Sequence, residues 1–353
     1  MQSNQQGERA VANDLREVAR RSGVSISTAS RSLAGSSLVS AATRIRVEQV
    51  AAAVGYRPNA SARALRTARS QLVGLVITNL VNNSFRVIAE IVQQRLAEAG
   101  HHLVLSITGG DPMQERAALH TLMELNASGV VVVGSDSKAF AEIRSRGIPV
   151  VHLGRRPGKL VGDCVLGDES AGARLAVDLL LAHGHRRVGI VCGPATVTSG
   201  RERLDGYRRA LVSAGRAVAE ELVVAGPFTA QTGLDAVKTF LALPRSRRPT
   251  ALLVANHESA YGVLPALREL SIDIPGQMSV ICYEDAPIMQ WWSPAVTVVD
   301  NQPAQMAELV ARLLMERVTG LRAVTTRPAV HRIPTHLVER GSVGSVPPRS
   351  PGP

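Results

Sequence analysis

The sequence predicts an all-α helix-turn-helix headpiece at the N-terminus, followed by an α/β body with parallel sheets in two subdomains. In the first part, short helical segments are separated by glycine. From Leu72 onward, short runs of β-branched and aliphatic residues alternate with amphipathic helical stretches, which is the pattern of βαβ units. About seven or eight such units exceed one hydrophobic core, so we expect two subdomains with a cleft between them.

Three short helices are predicted in the N-terminal segment. Asp14 can cap the first helix and Gly23 can end it, while Ser25 can cap the second, with the sequence SISTASRSL. Ser40 can cap the third helix, which Gly55 ends. Two helices joined by a glycine turn and followed by a third helix that closes the core form a helix-turn-helix unit.

Positive charge is concentrated in the same segment. Residues 1–70 contain eleven arginines, no lysine and four acidic residues, whereas the rest of the chain is nearly balanced. A basic module on a neutral body indicates contact with a polyanion, and the second helix of a helix-turn-helix enters the DNA major groove. On that helix we expect Arg31 to contact a guanine and Ile26 a thymine methyl group, with Ser25 and Thr28 at phosphates.

Several other classes of protein are not expected. The chain contains no apolar run of about 18 residues and no basic-then-apolar export pattern, so we expect a cytoplasmic protein without membrane contact. Cys164, Cys192 and Cys282 are far apart, and His183 and His185 have no nearby carboxylate or thiol, so we expect neither a disulfide nor a metal site. No GxGxxG, Walker, GxSxG or HExxH motif is present, so neither catalysis nor a cofactor is expected. A solute-binding protein of transport is the alternative, but it would have no use for the basic module.

The sequence resembles the lac repressor family over roughly residues 14–340, through motifs that follow the order of that family. These motifs are EVARRSGVSISTASRSL, VSAATRIRV, GYRPNASARALR, DLLLAHGHRRVGIVCGP, RERLDGY, FTAQTGLDA, PTALLVANHESAYGVL, SVICYEDAP and SPAVTVV. The resemblance implies a body similar to periplasmic binding proteins, with a small-molecule effector between its subdomains. It also implies a homodimer on a palindromic double-stranded DNA operator, acting as a repressor or, as the alternative, as an activator.

The resemblance implies three segments and a set of DNA-contacting residues. The segments are a headpiece at 1–57, a hinge helix or linker at 58–70 and an effector-binding and dimerisation body at 71–340. Residues 341–353 are rich in Gly, Ser and Pro, so we expect a disordered tail there. Leu65 matches the leucine that such dimers insert into the central base step. The implied DNA-contacting residues are Leu15, Ser25, Ile26, Ser27, Thr28, Arg31, Ser40, Thr43, Tyr56, Asn59, Ala62, Leu65 and Arg66.

For the effector, the resemblance implies a polar pocket with aromatic rings. Its implied residues are Asn79, Phe85, Ser199, Arg203, Phe228, Asn256 and Glu284. Arg203 matches the ligand-binding arginine of the family. Asn79 and His257 depart from common aspartates, and Val197 replaces an arginine of purine repressors, so a purine is not expected. A carbohydrate is one candidate effector, and the sequence leaves the ligand class open.

Overall fold

The computed structural model describes residues 15–33, 36, 38–56, 70–134, 137–324 and 327–346. The chain separates into two compact units, residues 1–70 and residues 71–353. Each unit has its own hydrophobic core.

The first unit contains the three predicted helices. They are α1 (Leu15–Arg21), α2 (Ile26–Leu33) and α3 (Ala41–Ala53). The predicted cap of α3 is confirmed, because the Ser40 side chain accepts a hydrogen bond from the Thr43 backbone N–H at 3.3 Å. Gly23 adopts φ = +62°, a left-handed conformation that ends α1 and that residues with a Cβ rarely adopt. Small apolar side chains fill the core: Val18, Ala19, Ala29, Val47 and Ala51.

In the described residues, the second unit contains two six-stranded sheets, which define lobe 1 and lobe 2. The strands of lobe 1 are β1 (Leu72–Ile77), β2 (His102–Ile107), β3 (Gly129–Val132), β4 (Val150–Leu153), β5 (Asp163–Gly167) and β11 (Val330–Ile333). Those of lobe 2 are β6 (Val188–Cys192), β7 (Val223–Ala225), β8 (Ala251–Val254), β9 (Ser279–Tyr283), β10 (Thr297–Asp300) and β12 (His336–Val338).

Helices cover both faces of each sheet. In lobe 1 they are α4 (Asn83–Glu98), α5 (Pro112–Glu124), α6 (Ser137–Ser145) and α12 (Pro303–Val318). In lobe 2 they are α7 (Glu169–Ala182), α8 (Thr198–Ser213), α9 (Ala230–Ala242), α10 (His257–Glu269) and α11 (Pro287–Trp291). The predicted α/β body with two subdomains is therefore confirmed. In the described part of the chain, no helix is both long and apolar enough to span a membrane.

The strand order shows that the chain passes between the lobes three times. The order is β11-β5-β4-β3-β1-β2 in lobe 1 and β12-β10-β9-β8-β6-β7 in lobe 2. All neighbouring strands are parallel except β10 and β12. The passages follow β5, β10 and β11, so each lobe is built from segments that are distant in sequence.

The boundary predicted for a disordered tail at residue 341 is wrong for residues 341–346. Ser342 is fully buried, and its hydroxyl accepts a hydrogen bond from the Thr297 backbone N–H at 2.8 Å. The Gly344 N–H donates to the Ser279 hydroxyl at 3.0 Å, and the Val346 N–H donates to the His183 carbonyl. Glycine and serine in this segment favour close packing against β9 and β10 because they add little side-chain bulk.

Candidate functional site

The outer face of α2 consists of the short polar residues that the sequence analysis singled out. The Ser25 hydroxyl accepts a hydrogen bond from the Thr28 backbone N–H at 3.1 Å and lies 2.8 Å from the Thr28 hydroxyl. Ala29 faces the core, whereas Ile26 is 48% exposed and Arg31 is exposed. Ile26 and Arg31 are therefore accessible for contact with another molecule, within the residues that the structure describes.

The remaining predicted DNA-contacting residues fall into two groups. Leu15 and Tyr56 pack against the core of the first unit, Ser27 and Ser40 are exposed, and Thr43 is partly buried in the first turn of α3. The residues predicted for the hinge lie outside the described residues; they are Asn59, Ala62, Leu65 and Arg66.

A cavity of about 400 Å³ lies between the two lobes, within the ~300–1,000 Å³ range of small-molecule sites. All seven residues predicted for the effector line this cavity: Asn79, Phe85, Ser199, Arg203, Phe228, Asn256 and Glu284. Asn79 follows β1, Asn256 follows β8 and Glu284 follows β9. The polar residues converge because the carboxyl ends of parallel strands meet at one edge of each sheet.

Arg203 is almost fully buried and already has partners in the protein. Its Nε lies 2.6 Å from Glu169 Oε2, its Nη1 donates to the Ala255 carbonyl, and its guanidinium lies 4.0 Å from the centre of the Tyr283 ring. Burial opposes the charge, but Glu169 and Glu284 outweigh it and raise the pKa of Arg203. The guanidinium thus serves the protein as the counter-ion of two buried carboxylates.

Glu284 links the lobes through His257. The Glu284 carboxylate contacts His257 Nδ1 and accepts a hydrogen bond from Asn82 Nδ2 at 3.3 Å. His257 Nε2 lies 3.2 Å from the Val81 carbonyl in lobe 1. Burial disfavours ionisation of both groups, yet their mutual attraction lowers the pKa of Glu284 and raises that of His257. A charged pair therefore lies at the contact between the lobes.

Glu258 provides a second polar link between the lobes. Its Oε1 accepts a hydrogen bond from Asn79 Nδ2 at 3.4 Å. Burial and the nearby Glu284 raise the pKa of Glu258, while His257 lowers it. Nearby, the Arg156 backbone N–H donates to the Thr198 hydroxyl at 3.0 Å, which also joins lobe 1 to lobe 2.

Sequence reasoning missed three charged residues that line the cavity: Arg155, Glu169 and Glu258. Arg155 follows β4, so its position after an apolar strand was the signal that could have revealed it. The pairing of Glu169 with Arg203 had no local sequence signal, because the two residues belong to different helices. In the described residues, no group of three or more His, Cys, Asp or Glu is arranged to hold a metal ion.

Family models match both units. The model described as bacterial regulatory proteins, lacI family, matches residues 14–59. The model described as a periplasmic binding protein-like domain matches residues 177–343. The chain is also 30% identical to the ribose operon repressor of Escherichia coli K12 over 331 residues, which cover 93% of this chain and 99% of that protein.

The chain belongs to the lacI family of bacterial regulatory proteins. Another relative of this lacI-family protein is the HTH-type transcriptional regulator GalS of Salmonella typhimurium, at 30% identity over 93% of this chain and 96% of that protein. The predicted family is thereby confirmed.

Solved structures support the same assignment. The lac repressor dimer bound to operator and the anti-inducer ONPF matches with a TM-score of 0.79 at 25% identity, covering 94% of this chain and 99% of that chain. The complex of the transcriptional regulator CelR with cellobiose matches with a TM-score of 0.71 at 30% identity. The match covers 93% of this chain and 99% of that chain. This lacI-family protein is a DNA-binding transcriptional regulator with a two-lobed body, as the sequence predicted.

Proposed function

We propose that this protein represses transcription by binding a palindromic operator as a homodimer, and that a small molecule in the interlobe cavity sets its affinity for DNA. The observation that carries the proposal is the cavity itself. It is lined from both lobes and bordered by hydrogen bonds between them, from Asn82 to Glu284 and from Asn79 to Glu258. A ligand there contacts both lobes at once, so its binding depends on how far they are closed.

The DNA contacts are assigned to the first unit. Arg31 reads a guanine and Ile26 a thymine methyl group, because both side chains are exposed on the outer face of α2. The other contacts position the unit on the backbone, through Leu15, Ser25, Ser27, Thr28, Ser40, Thr43 and Tyr56. Asn59, Ala62, Leu65 and Arg66 follow from the family resemblance as contacts of the hinge, with Leu65 as the wedge between base pairs.

Ligand and DNA affinity are coupled by linkage. An effector that favours one degree of lobe closure changes DNA affinity by its differential binding to the two states, and DNA changes effector affinity by the same factor. The seven predicted pocket residues are assigned to the effector, with Phe85 and Phe228 supplying rings from lobe 1 and lobe 2. Arg203 takes part mainly by holding Glu169 and Glu284 in place.

The homodimer is supported by exposed apolar surface on lobe 1. The edge strand β2 exposes Leu105 by 40% and Ile107 by 54%, and Leu80 and Val81 are exposed before α4. Burying such side chains against a second copy is favourable. Two-fold symmetry of the dimer then requires an inverted repeat in the operator. We place the protein in the cytoplasm, with its DNA, and assign it no catalytic role.

The experiment is selection of binding sites from random duplex DNA by the purified full-length protein. We expect an inverted repeat, bound at least a thousandfold more tightly than bulk duplex at the same salt concentration. A panel of sugars and metabolites is then titrated against the selected site by fluorescence anisotropy, and at least one compound changes the operator affinity. Enrichment of no palindrome would contradict the proposal, whatever the panel shows.

A further inference from the structure

Among the described residues that line the cavity, Arg155 is a cation without a directly bonded carboxylate. Arg203 is paired with Glu169, and His257 is paired with Glu284. By contrast, within the part of the chain that the structure describes, the Arg155 guanidinium donates no hydrogen bond and forms no ion pair. It nevertheless lines the cavity and is only partly exposed.

The turn that carries Arg155 lies beside the beginning of a long helix. Its neighbour Arg156 donates its backbone N–H to the hydroxyl of Thr198, the first residue of α8, at 3.0 Å. The N-cap residue of α8, Val197, makes no side-chain capping bond, and it lines the cavity together with Ser199. The positive end of the helix dipole therefore reinforces the positive charge of Arg155.

The position of Arg155 is costly for its positive charge. Burial lowers the pKa of Arg155, and the attraction of Glu115 offsets this lowering only in part. A partly desolvated cation without a bonded partner is stabilised when an anion arrives.

A second unused donor lies in the same cavity. Asn256 is 3% exposed, and its Oδ1 accepts the Ser259 N–H at 3.4 Å, which fixes the amide orientation. Its Nδ2 has no hydrogen-bond partner among the described residues, so it is left for an acceptor on a ligand. The carboxylates Glu169 and Glu284, in contrast, are already neutralised by Arg203 and His257.

We propose that the effector is a small polar molecule with an anionic group, a carboxylate or a phosphate, which binds Arg155 beside the beginning of α8, while an oxygen of its polar frame accepts from Asn256. This inference rests on the proposed function, because it specifies the chemistry of the ligand in the same cavity.

The test compares Arg155→Gln with Arg156→Gln, a matched control that removes the neighbouring exposed arginine outside the cavity lining. Thermal unfolding of the full-length variants is followed at constant ionic strength. The probes are inorganic phosphate, acetate and two matched pairs: D-ribose with D-ribose 5-phosphate, and D-glucose with D-glucuronate. The pairs separate the anionic group from the sugar frame, and the phosphate and glucuronate arms separate a phosphate from a carboxylate.

We expect a saturable rise in Tm with at least one anionic probe, and a neutral partner that binds at least tenfold more weakly. Arg156→Gln keeps this response, Arg155→Gln weakens it at least tenfold, and Arg155→Lys retains part of it. The inference is overturned if no anion gives a saturable response, if Arg155→Gln responds like the parent protein, or if neutral sugars bind as well as their anionic partners. None of these results affects the selection of a palindromic operator from random DNA. The operator selection therefore distinguishes failure of this inference from failure of the proposed function.

Discussion

Arg203 Nε lies 2.6 Å from Glu169 Oε2, and both side chains are buried beside the interlobe cavity. The arginine that family resemblance assigns to the ligand is thus also the counter-ion of a buried carboxylate. Its replacement affects folding as well as ligand binding, so loss of effector response in such a variant requires a stability measurement beside it.

We predict that Arg203→Met lowers the free energy of unfolding by ~3–5 kcal/mol, because it leaves Glu169 buried without its cation. The control is Arg208→Met on the same helix, which breaks an exposed pair with Glu220 and costs less than ~1 kcal/mol. Urea denaturation measures both. Equal losses in the two variants would show that the buried pair contributes no more than a surface pair.

A second prediction concerns the pH dependence of stability. His152 is fully buried on β4, and burial lowers its pKa to about 4. Neither ring nitrogen has a hydrogen-bond partner among the described residues. Between pH 6.5 and 4 the unfolded chain binds a proton at this residue and the folded protein does not, so acid destabilises the fold. The contribution of His152 is complete at neutral pH and falls by up to ~3 kcal/mol at pH 4.

The measurement is urea denaturation at pH 7.5, 6 and 5 for the parent protein and for His152→Phe, whose ring still packs beside Phe140. We expect the variant to lose less stability on acidification. His102→Phe, at an exposed position of β2, should follow the parent curve. Identical pH profiles for the parent and His152→Phe would refute the assignment.

Gly262 supports the close packing of α9 and α10. A Cβ at Gly262 would lie 1.8 Å from the Ala230 carbonyl oxygen, and one at Gly233 would lie 1.9 Å from that of Ser259. We predict that Gly262→Ala lowers the free energy of unfolding by ~1–3 kcal/mol, because the helices must separate. Gly158→Ala is the control, since a Cβ there meets no atom within 4 Å. Thermal unfolding compares the Tm of each variant with that of the parent protein. An unchanged Tm in Gly262→Ala would mean that the two helices adjust without loss of stability.

Arg31 should determine one base pair of the operator. We predict that Arg31→Ala reduces discrimination at a single guanine by ~1–3 kcal/mol, because the guanidinium can bind O6 and N7 together. Fluorescence anisotropy with the selected site and its single-base variants measures this. Arg46→Ala, an exposed arginine of α3, leaves the base preference unchanged. Uniform weakening on every site by Arg31→Ala would assign Arg31 to the phosphates instead.

Local patterns predicted most of the fold. Capping serines and a glycine predict the headpiece helices. Short runs of β-branched and aliphatic residues predict most of the strands. An apolar run does not reveal strand β5, because it begins with the charged residue Asp163 and has only three apolar residues after it. Asp163 is fully buried and lies 2.7 Å from Arg317 of α12, a residue 154 positions away, and no local reading of the sequence reveals that partner. The edge strand β11, with the sequence VHRI, is not predicted because the adjacent polar residues His331 and Arg332 occupy its centre and leave no apolar run.

The site was predicted only in part for the same reason. Motifs located the seven residues that converge on the cavity. They did not reveal that Arg203 is paired with Glu169 whereas Arg155 forms no ion pair among the described residues, because charge pairing depends on which helices and turns meet in three dimensions.

Because the chain passes between the lobes three times, few truncations of the body leave both lobes complete. β11 is an edge strand of lobe 1 and β12 is an edge strand of lobe 2, and only two residues separate them. Truncation before residue 330 therefore removes one edge strand from each lobe. Neither lobe can be expressed as one continuous fragment of the chain. Shortened forms made for crystallisation should therefore lack the headpiece and retain residues 71–346.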